Sequence, residues 1–338
     1  MRDFLNPLFI SQEENMDRPF INMDLKYIKT RNKNKFYEEK IILPSVFYTS
    51  TMKTIAVYSD IHYHKNIDKE VILLLILYAQ MIKPDYIIMP GDMVDNSKFL
   101  NNFQDKKYFE YFIKALSEIS KVIMIPGNHE THDMISVSWL FSDNLTQTIK
   151  YFESLNRLKN VYFLDNSQIR IDNINFISYT PPHSTYYSKS KRTIDKFMNG
   201  YIKSGLTMDD DKYNILLTHN PIPLTISNEY KKIDDFNNST DLVISGHLHN
   251  GYLPRFMYEK YKNTNMGLFF APFINPLNGF ICRGIHNFGN RGKLFVSKGY
   301  KKWASDLILF NFFEKFTSND VELLTLINPK DKSLILKK

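Results

Sequence analysis

A chain of 338 residues, 43% of them hydrophobic, is long enough to bury a sizeable core, as one large domain or two small ones. Its formal net charge of +7 suits an anionic partner such as a phosphate ester, a nucleic acid or an acidic membrane surface, but most of the basic residues are lysine, the poorer bidentate reader of phosphate. The single cysteine, Cys282, excludes an internal disulfide, and the longest apolar run, Val71–Ile82, is too short to span a bilayer.

The opening stretch, MRDFLNPLFISQEENMDRPF, has no apolar run of signal-peptide length and no twin arginine, so a cytoplasmic location is expected. Leu25 to Pro44, LKYIKTRNKNKFYEEKIILP, reads as two short strands around a polar Asn-Lys turn, an edge hairpin with a solvated charged face. From Thr54 the pattern becomes regular. TIAVYSD is a short apolar run with a polar tip, and a helix follows over roughly Asp68–Lys83. DYIIMPGD is a second such run, followed by a helix near Gln104–Ser120, and KVIMIPGNHE is a third. Short β-branched runs alternating with amphipathic helices predict parallel strands joined by crossover helices. After Asn160 the runs crowd together (VYFLD, QIRI, INFISYT, NILLTHN, DLVISGH), which predicts a more mixed sheet. Gly267 to Val296 should be loops and short strands. There is no repeat, low-complexity block or visible linker, so the chain reads as one two-layered domain.

The polar residues fall at five strand ends: Asp60 and His62; Asp92 and Asp95; Asn128, His129 and Glu130; His219; His247 and His249. Ligands in open α/β sheets collect at the carboxyl ends of strands. In extended backbone, residues two apart point the same way, so Asp60 with His62, and His247 with His249, can converge. Gly91, Gly127 and Gly246 immediately precede these polar groups and permit close backbone approach. Each motif alone is commonly a turn or a helix cap, but their occurrence together, each closing a strand, points to a shared site. Carboxylate, imidazole and amide donors suit Mn, Fe or Zn and are unlike the thiolate sets of structural zinc. Seven donors exceed one ion and fill two divalent ions that share a bridging carboxylate.

In this order, SDIH, GDMVD, GNHE, TH and SGHLH resemble the calcineurin-like metallophosphoesterases from about Ile55 to His249. The stretch SGHLHNGYLPRF…GLFFAP…GKLFVSKGY further resembles the bacterial branch around the YkuE-type phosphoesterases. The resemblance implies an α/β (α+β) fold, in which two mixed β-sheets pack as a sandwich flanked by helices in four αββα layers. It makes residues 54–338 the catalytic domain and residues 1–53 an N-terminal segment carrying the hairpin, within a single domain overall. It also implies that Asp60, His62, Asp92 and His249 hold one metal ion, and that Asp92, Asn128, His219 and His247 hold the other. His129 becomes the general acid, with Asp95 orienting it. Two divalent ions against Asp60, Asp92 and a bridging hydroxide leave about one positive unit, which attracts a phosphate anion and stabilises the charge-rich transition state as the hydroxide attacks phosphorus.

The expected partner is therefore a phosphate ester, a small-molecule or lipid-headgroup phosphate, cleaved as a diester or monoester. Peripheral contact with acidic membrane stays open, as does the oligomeric state. Asn96 stands where the protein Ser/Thr phosphatases place a phosphate-gripping arginine, which argues against that activity. Asn250-Gly251-Tyr252 departs from the two glycines and glutamine of the YkuE-type branch. A nuclease on the same scaffold would need a continuous basic and aromatic groove; the rings are dispersed and no basic stripe is visible, so no specific nucleic acid is expected. A metal-bound interaction module without catalysis is the other alternative, and His129 beside Asp95 argues against it. His64 reads as a surface residue, and His132 and Asp133 as helix-start residues. His183 reads as an exposed loop residue or one near the site, and Arg283 and His286 lie in a Gly-rich loop.

Overall fold

The computed structural model describes residues 37–42, 53–63, 69–95, 97–131, 142–186, 190–225, 234–248, 274–275, 279–280, 284–290, 292–299 and 322–327. In chain order the strands are β1 (Tyr37–Ile42), β2 (Lys53–Val57), β3 (Tyr86–Met89), β4 (Lys121–Met124), β5 (Val161–Phe163), β6 (Gln168–Ile171) and β7 (Ile174–Ser178). They continue as β8 (Tyr213–Leu217), β9 (Leu242–Ser245), β10 (Ile274–Asn275), β11 (Gly279–Phe280), β12 (Gly284–Phe288), β13 (Gly292–Val296) and β14 (Glu322–Ile327). The α-helices are α1 (Lys69–Ile82), α2 (Phe103–Ile119), α3 (Asn128–Thr131), α4 (Ser142–Ser154), α5 (Lys191–Ser204), α6 (Ile222–Thr225) and α7 (Asp234–Ser239).

One six-stranded sheet runs β1-β14-β2-β3-β4-β5 and the other β12-β13-β9-β8-β7-β6; β10 and β11 form a separate antiparallel ribbon. β2 through β5 pair in parallel, as do β7, β8, β9 and β13, while β14–β2, β6–β7 and β12–β13 are antiparallel. Both sheets are therefore mixed. The period of two in each strand explains the layering. Ile55, Val57, Tyr86, Ile88 and Ile123 point inward, to meet Phe176, Ile215, Leu217, Ile244 and Phe295 of the second sheet. Their neighbours Ala56, Ile87, Met89, Val122 and Met124 face the other way, under Leu75 and Ala79 of α1, Phe109 and Phe112 of α2, and Phe152 of α4. On the far side, Leu216, Val243 and Leu294 pack under Phe197 and Tyr201 of α5 and Phe236 of α7. The result is four layers, helix–sheet–sheet–helix. Burial on both faces is why these strands read as unbroken apolar runs.

The two long helices expected in the first half occur within a residue of the expected ends. Asn102 caps α2, its side chain accepting from the Gln104 and Asp105 amides. The N-terminal expectation changes. Tyr37–Ile42 is an edge strand, but among the described residues its partner is β14, in parallel, rather than a hairpin mate; the first arm of that hairpin lies outside the described residues. β14 itself, inserted between β1 and β2 from the far end of the chain, was not expected. No helix among the described residues is long and apolar enough to cross a membrane.

Candidate metal centre

The loops leaving β2 and β3 run side by side. The amides of Asp60, His62 and Tyr63 donate to the carbonyls of Gly91, Asp92 and Met93 at 3.2, 3.0 and 2.8 Å, and the Asp95 amide donates back to Tyr63 at 3.1 Å. Extended alternation does not aim the side chains. Asp60, His62, Asp92 and His247 have φ values of 52°, 49°, 50° and 71°, in the left-handed region that costs non-glycine residues roughly 1–3 kcal/mol each. Left-handed residues turn the chain sharply, and here they turn it so that side chains from β2, β3 and β9 face one point. That four such residues carry ligand-type side chains is the kind of strain that clusters at functional sites.

Asp92 lies at the middle. Its Oδ1 accepts from the His129 amide at 2.9 Å. Its Oδ2 is 3.0 Å from His219 Nε2, 3.7 Å from His62 Nε2 and 3.8 Å from His129 Nε2. Asp60 accepts from the His247 amide at 3.1 Å and from the Ser59 hydroxyl, and its Oδ1 is 4.0 Å from His219 Nε2. His219 donates from Nδ1 to the Pro90 carbonyl at 2.7 Å, which turns Nε2 toward the carboxylates. Asn128 is buried, and its Oδ1 has no hydrogen-bond partner. A buried amide oxygen left without a donor is costly, and a cation would satisfy it.

Close packing enforces the arrangement. A Cβ on Gly127 would collide with the Asp92 carboxylate and amide, one on Gly246 with Ser59 and Asp60, and one on Gly91 would stand 2.6 Å from His219 Nδ1. Glu130, fully buried, accepts from the amides of Asp92, Val94 and Gly127 at 3.0, 2.9 and 2.7 Å, and so ties the β3 exit to the β4 exit.

The charges follow from burial and crowding. Burial pushes the Asp92 carboxyl up, but His219, His129 and His62 outweigh it and hold it well below the usual carboxylate range. Burial pulls His219 down, and Asp92 outweighs this, raising it to about 9. His129 is also raised: Asp92 and the Asp95 carbonyl overcome its burial. Glu130 is pushed up to about 7, by burial and by the Asp92 charge. An anion-centred cluster that recruits protons in this way is one that divalent cations would compete for.

Among the described residues, three groups of side chains have ligating atoms within 4.8 Å of one another: Asp60, His62 and Asp92; Asp92, His219 and His247; and His62, Asp95 and His129. The first two share Asp92, and with Asn128 beside them they fit a pair of divalent ions. Of the expected site residues, Asp60, His62, Asp92, Asp95, His129, His219 and His247 are brought together. His249 lies outside the described residues, as do His64, Asn96, His132, Asp133, Asn250, Gly251, Tyr252 and Arg283. His286 is mid-strand in the edge strand β12 and joins none of these groups. His183 begins a 3-10 turn, half-buried, its ring 6.1 Å from Tyr186.

Asp95 departs from the expectation in one respect. The acceptor that orients His129 is the Asp95 backbone carbonyl, 2.5 Å from Nδ1; the carboxylate instead stands 3.6 Å from His62 Nδ1. Sequence reasoning missed Tyr186, buried, its ring edge-on to His247 at 5.0 Å and 6.2 Å from His219. Next to it, Thr185 Oγ1 accepts from Asn220 Nδ2 at 3.1 Å, pinning this turn to the His219 loop. No sequence signal marks Tyr186. Gly299, whose added Cβ would stand 2.9 Å from Asp60 Cβ, was visible only as part of VSKGY.

A sandwich of mixed sheets with acidic and imidazole side chains gathered at its strand ends defines the class, an α/β-sandwich protein with a candidate metal centre. The profile of the calcineurin-like phosphoesterases matches residues 53–251, more than half of the chain, and the chain belongs to that family. It is 23% identical over 259 residues to "Uncharacterized metallophosphoesterase Cj0846" of Campylobacter jejuni, covering 76% of this chain and 56% of that protein. It is 22% identical over 250 residues to an "Uncharacterized metallophosphoesterase" of Helicobacter pylori, covering 74% and 54%. The chain thus spans about half the length of these curated relatives. Similar solved structures include a dimetal phosphatase from Danio rerio (TM-score 0.38, 11% identity, 73% of this chain and 87% of that one). Another is phosphopantetheinyl hydrolase from Mycobacterium tuberculosis (TM-score 0.39, 11% identity, 73% and 89%).

Proposed function

We propose that this protein is a metal-dependent hydrolase of phosphate esters that works with two divalent ions. The observation that carries the reading is Asp92, whose carboxylate belongs to both ligand groups, one with Asp60 and His62, the other with His219 and His247. On this reading Asp60, His62, Asp92 and His249 hold one ion and Asp92, Asn128, His219 and His247 the other, with Mn, Fe or Zn suiting the donors. Bound ions of this kind supply Lewis acidity, neutralising phosphoryl charge and making water a stronger nucleophile at neutral pH.

The chain's own residues do the rest. Asn128 contributes a neutral donor, which preserves the positive excess that draws a phosphate anion. His129, largely buried with its side chain 18% exposed, keeps Nδ1 on the Asp95 carbonyl and so presents Nε2 toward Asp92. From there it gives its proton to the leaving oxygen as general acid, an effect of about 10²–10⁴-fold. The finer reading is a phosphodiesterase or phosphomonoesterase of the YkuE-type branch, acting on a small-molecule or lipid-headgroup phosphate in the cytoplasm or against acidic membrane.

Purified protein loaded with Mn should hydrolyse bis-p-nitrophenyl phosphate, p-nitrophenyl phosphate or a phospholipid-headgroup substrate, and the order of rates assigns the class. His129→Asn should lower turnover about 10²–10⁴-fold with metal content unchanged. Full activity in that variant removes the role of His129. No bound metal and no hydrolysis in the wild type removes the function.

A further inference from the structure

We infer that Glu322 is a positioning residue for Asp60, acting through the turn that follows β13. The inference rests on the two-ion reading above, in which Asp60 holds one of the ions. Glu322 opens β14 and pairs with Val57, the last residue of β2. It therefore stands at the sheet edge where the chain leaves β2 for Asp60. It lies outside residues 53–251, the stretch that matches the family profile.

A carboxyl is costly at that place. Glu322 is buried, and both its burial and the nearby Asp60 charge disfavour its ionised form. Donors from one turn offset the cost. Glu322 Oε1 accepts from the Lys298 amide at 3.0 Å, and the Ser297 side chain hydrogen-bonds the same carboxyl. Ser297 Oγ in turn accepts from the Gly299 amide at 3.1 Å. Three successive residues, Ser297, Lys298 and Gly299, are thus gathered onto one side chain. The Ser297 amide anchors the turn from the other side, donating to the Ser245 carbonyl of β9 at 2.8 Å.

Gly299 is the part of this turn that meets the site. Its φ is 73°, and a Cβ there would stand 2.9 Å from Asp60 Cβ and 3.4 Å from Asp60 Oδ2. The Gly299 backbone is therefore a wall against which the Asp60 side chain packs. Asp60 depends on such a wall, because the His247 amide lies 3.1 and 3.3 Å from its two oxygens and favours neither strongly. Gly299 and the Ser59 hydroxyl occupy the Oδ2 side, which leaves Oδ1 facing His219 Nε2 at 4.0 Å. Glu322 joins none of the ligand groups found among the described residues, so it acts through the turn and not as a ligand.

Mn titration by calorimetry, with a thermal melt of each protein, tests this on the full chain as wild type, Glu322→Ala, Glu322→Gln, Gly299→Ala and Leu326→Ala. The wild type should bind two Mn ions. Glu322→Ala should weaken one of them about 10-fold, the lower end of what is lost with an outer partner of a ligand, and leave the other unchanged. Glu322→Gln should recover most of that affinity, because its amide oxygen still accepts from the Lys298 amide. Gly299→Ala should also weaken one ion, since its methyl presses on Asp60. Leu326→Ala, a core change in the same strand, should lower the melting temperature and keep both affinities. Wild-type affinities in Glu322→Ala or in Gly299→Ala would overturn the inference. So would an equal loss of Mn affinity in Leu326→Ala, which would reduce the effect to the stability of β14. A wild type that binds no Mn sinks the two-ion reading and this inference with it, and is told apart from failures confined to the variants.

Discussion

Gly127 is the residue at which the centre is least tolerant. An added methyl there collides with both the carboxylate and the amide of Asp92, the side chain that both ligand groups share. Neither can retreat, since the amide is held by Glu130 and the carboxylate by the His129 amide. Gly127→Ala should therefore lose Mn binding in an equilibrium titration and lower the melting temperature together. Retention of both ions at wild-type affinity would mean that the β4 exit is softer than its hydrogen bonds indicate. Asp92 also shows why charge and geometry cannot be separated here: three histidines keep its carboxyl ionised despite complete burial.

Among the elements, the 3-10 turn at His183–Thr185 supports the site although it carries no expected ligand. Thr185 is tied to Asn220, and Tyr186 packs edge-on against His247. Aromatic pairs of this kind contribute about 0.5–1.5 kcal/mol beyond burial, and the packing also limits how the His247 ring can turn. Tyr186→Ala should weaken Mn binding, with Tyr186→Phe close to wild type, as read by calorimetry; equal loss in both would assign the effect to the hydroxyl instead. Helix α2 provides the contrast. Asn102→Ala removes its cap and should cost about 1 kcal/mol in a denaturant melt while leaving Mn affinity unchanged. An altered Mn affinity there would show that the site is coupled to the helix layer.

For the whole molecule, the metal-free protein should lose stability as pH rises. His219 sits at about 9 in the fold against 6.5 outside it, so its contribution is complete below 6.5 and is lost as pH climbs through 9. Glu130 and Glu322 are both raised to about 7 from 4.5, chiefly by burial, and act in the same direction between those values. On the two-ion reading proposed above, divalent ions would displace the His219 proton and reverse the slope. Thermal melts of chelator-stripped protein should fall from pH 6 to pH 9, while Mn-loaded protein holds or rises; parallel curves would mean that His219 does not give up a proton to metal. Away from the site, Tyr86 Oη donates to Asp172 at 2.7 Å and Lys121 pairs with the same carboxylate at 3.3 Å, joining the two sheets at the ends of β3 and β4.

Local pattern was enough for much of this. The apolar runs at Ile55–Val57, Tyr86–Met89 and Leu242–Ser245 specify buried strands because burial on both faces demands continuous apolar side chains, and the polar tips that follow mark where the chain leaves the core. Spacing and residue type therefore single out Asp60, His62, Asp92, Asp95, His129, His219 and His247, which the fold brings together. Only the tertiary structure decided which way those side chains turn. Left-handed backbone at Asp60, His62, Asp92 and His247 is only weakly signalled by residue type, since Asp and His tolerate it better than most side chains, and it is fixed by contacts from other loops. The same is true of β14 between β1 and β2, of Tyr186 against His247, and of the split between the Asp95 carbonyl and its carboxylate. Period and polarity along a chain report how much of a segment is buried. Which distant segment buries it is set by pairing and packing, and those exist only once the chain has closed on itself.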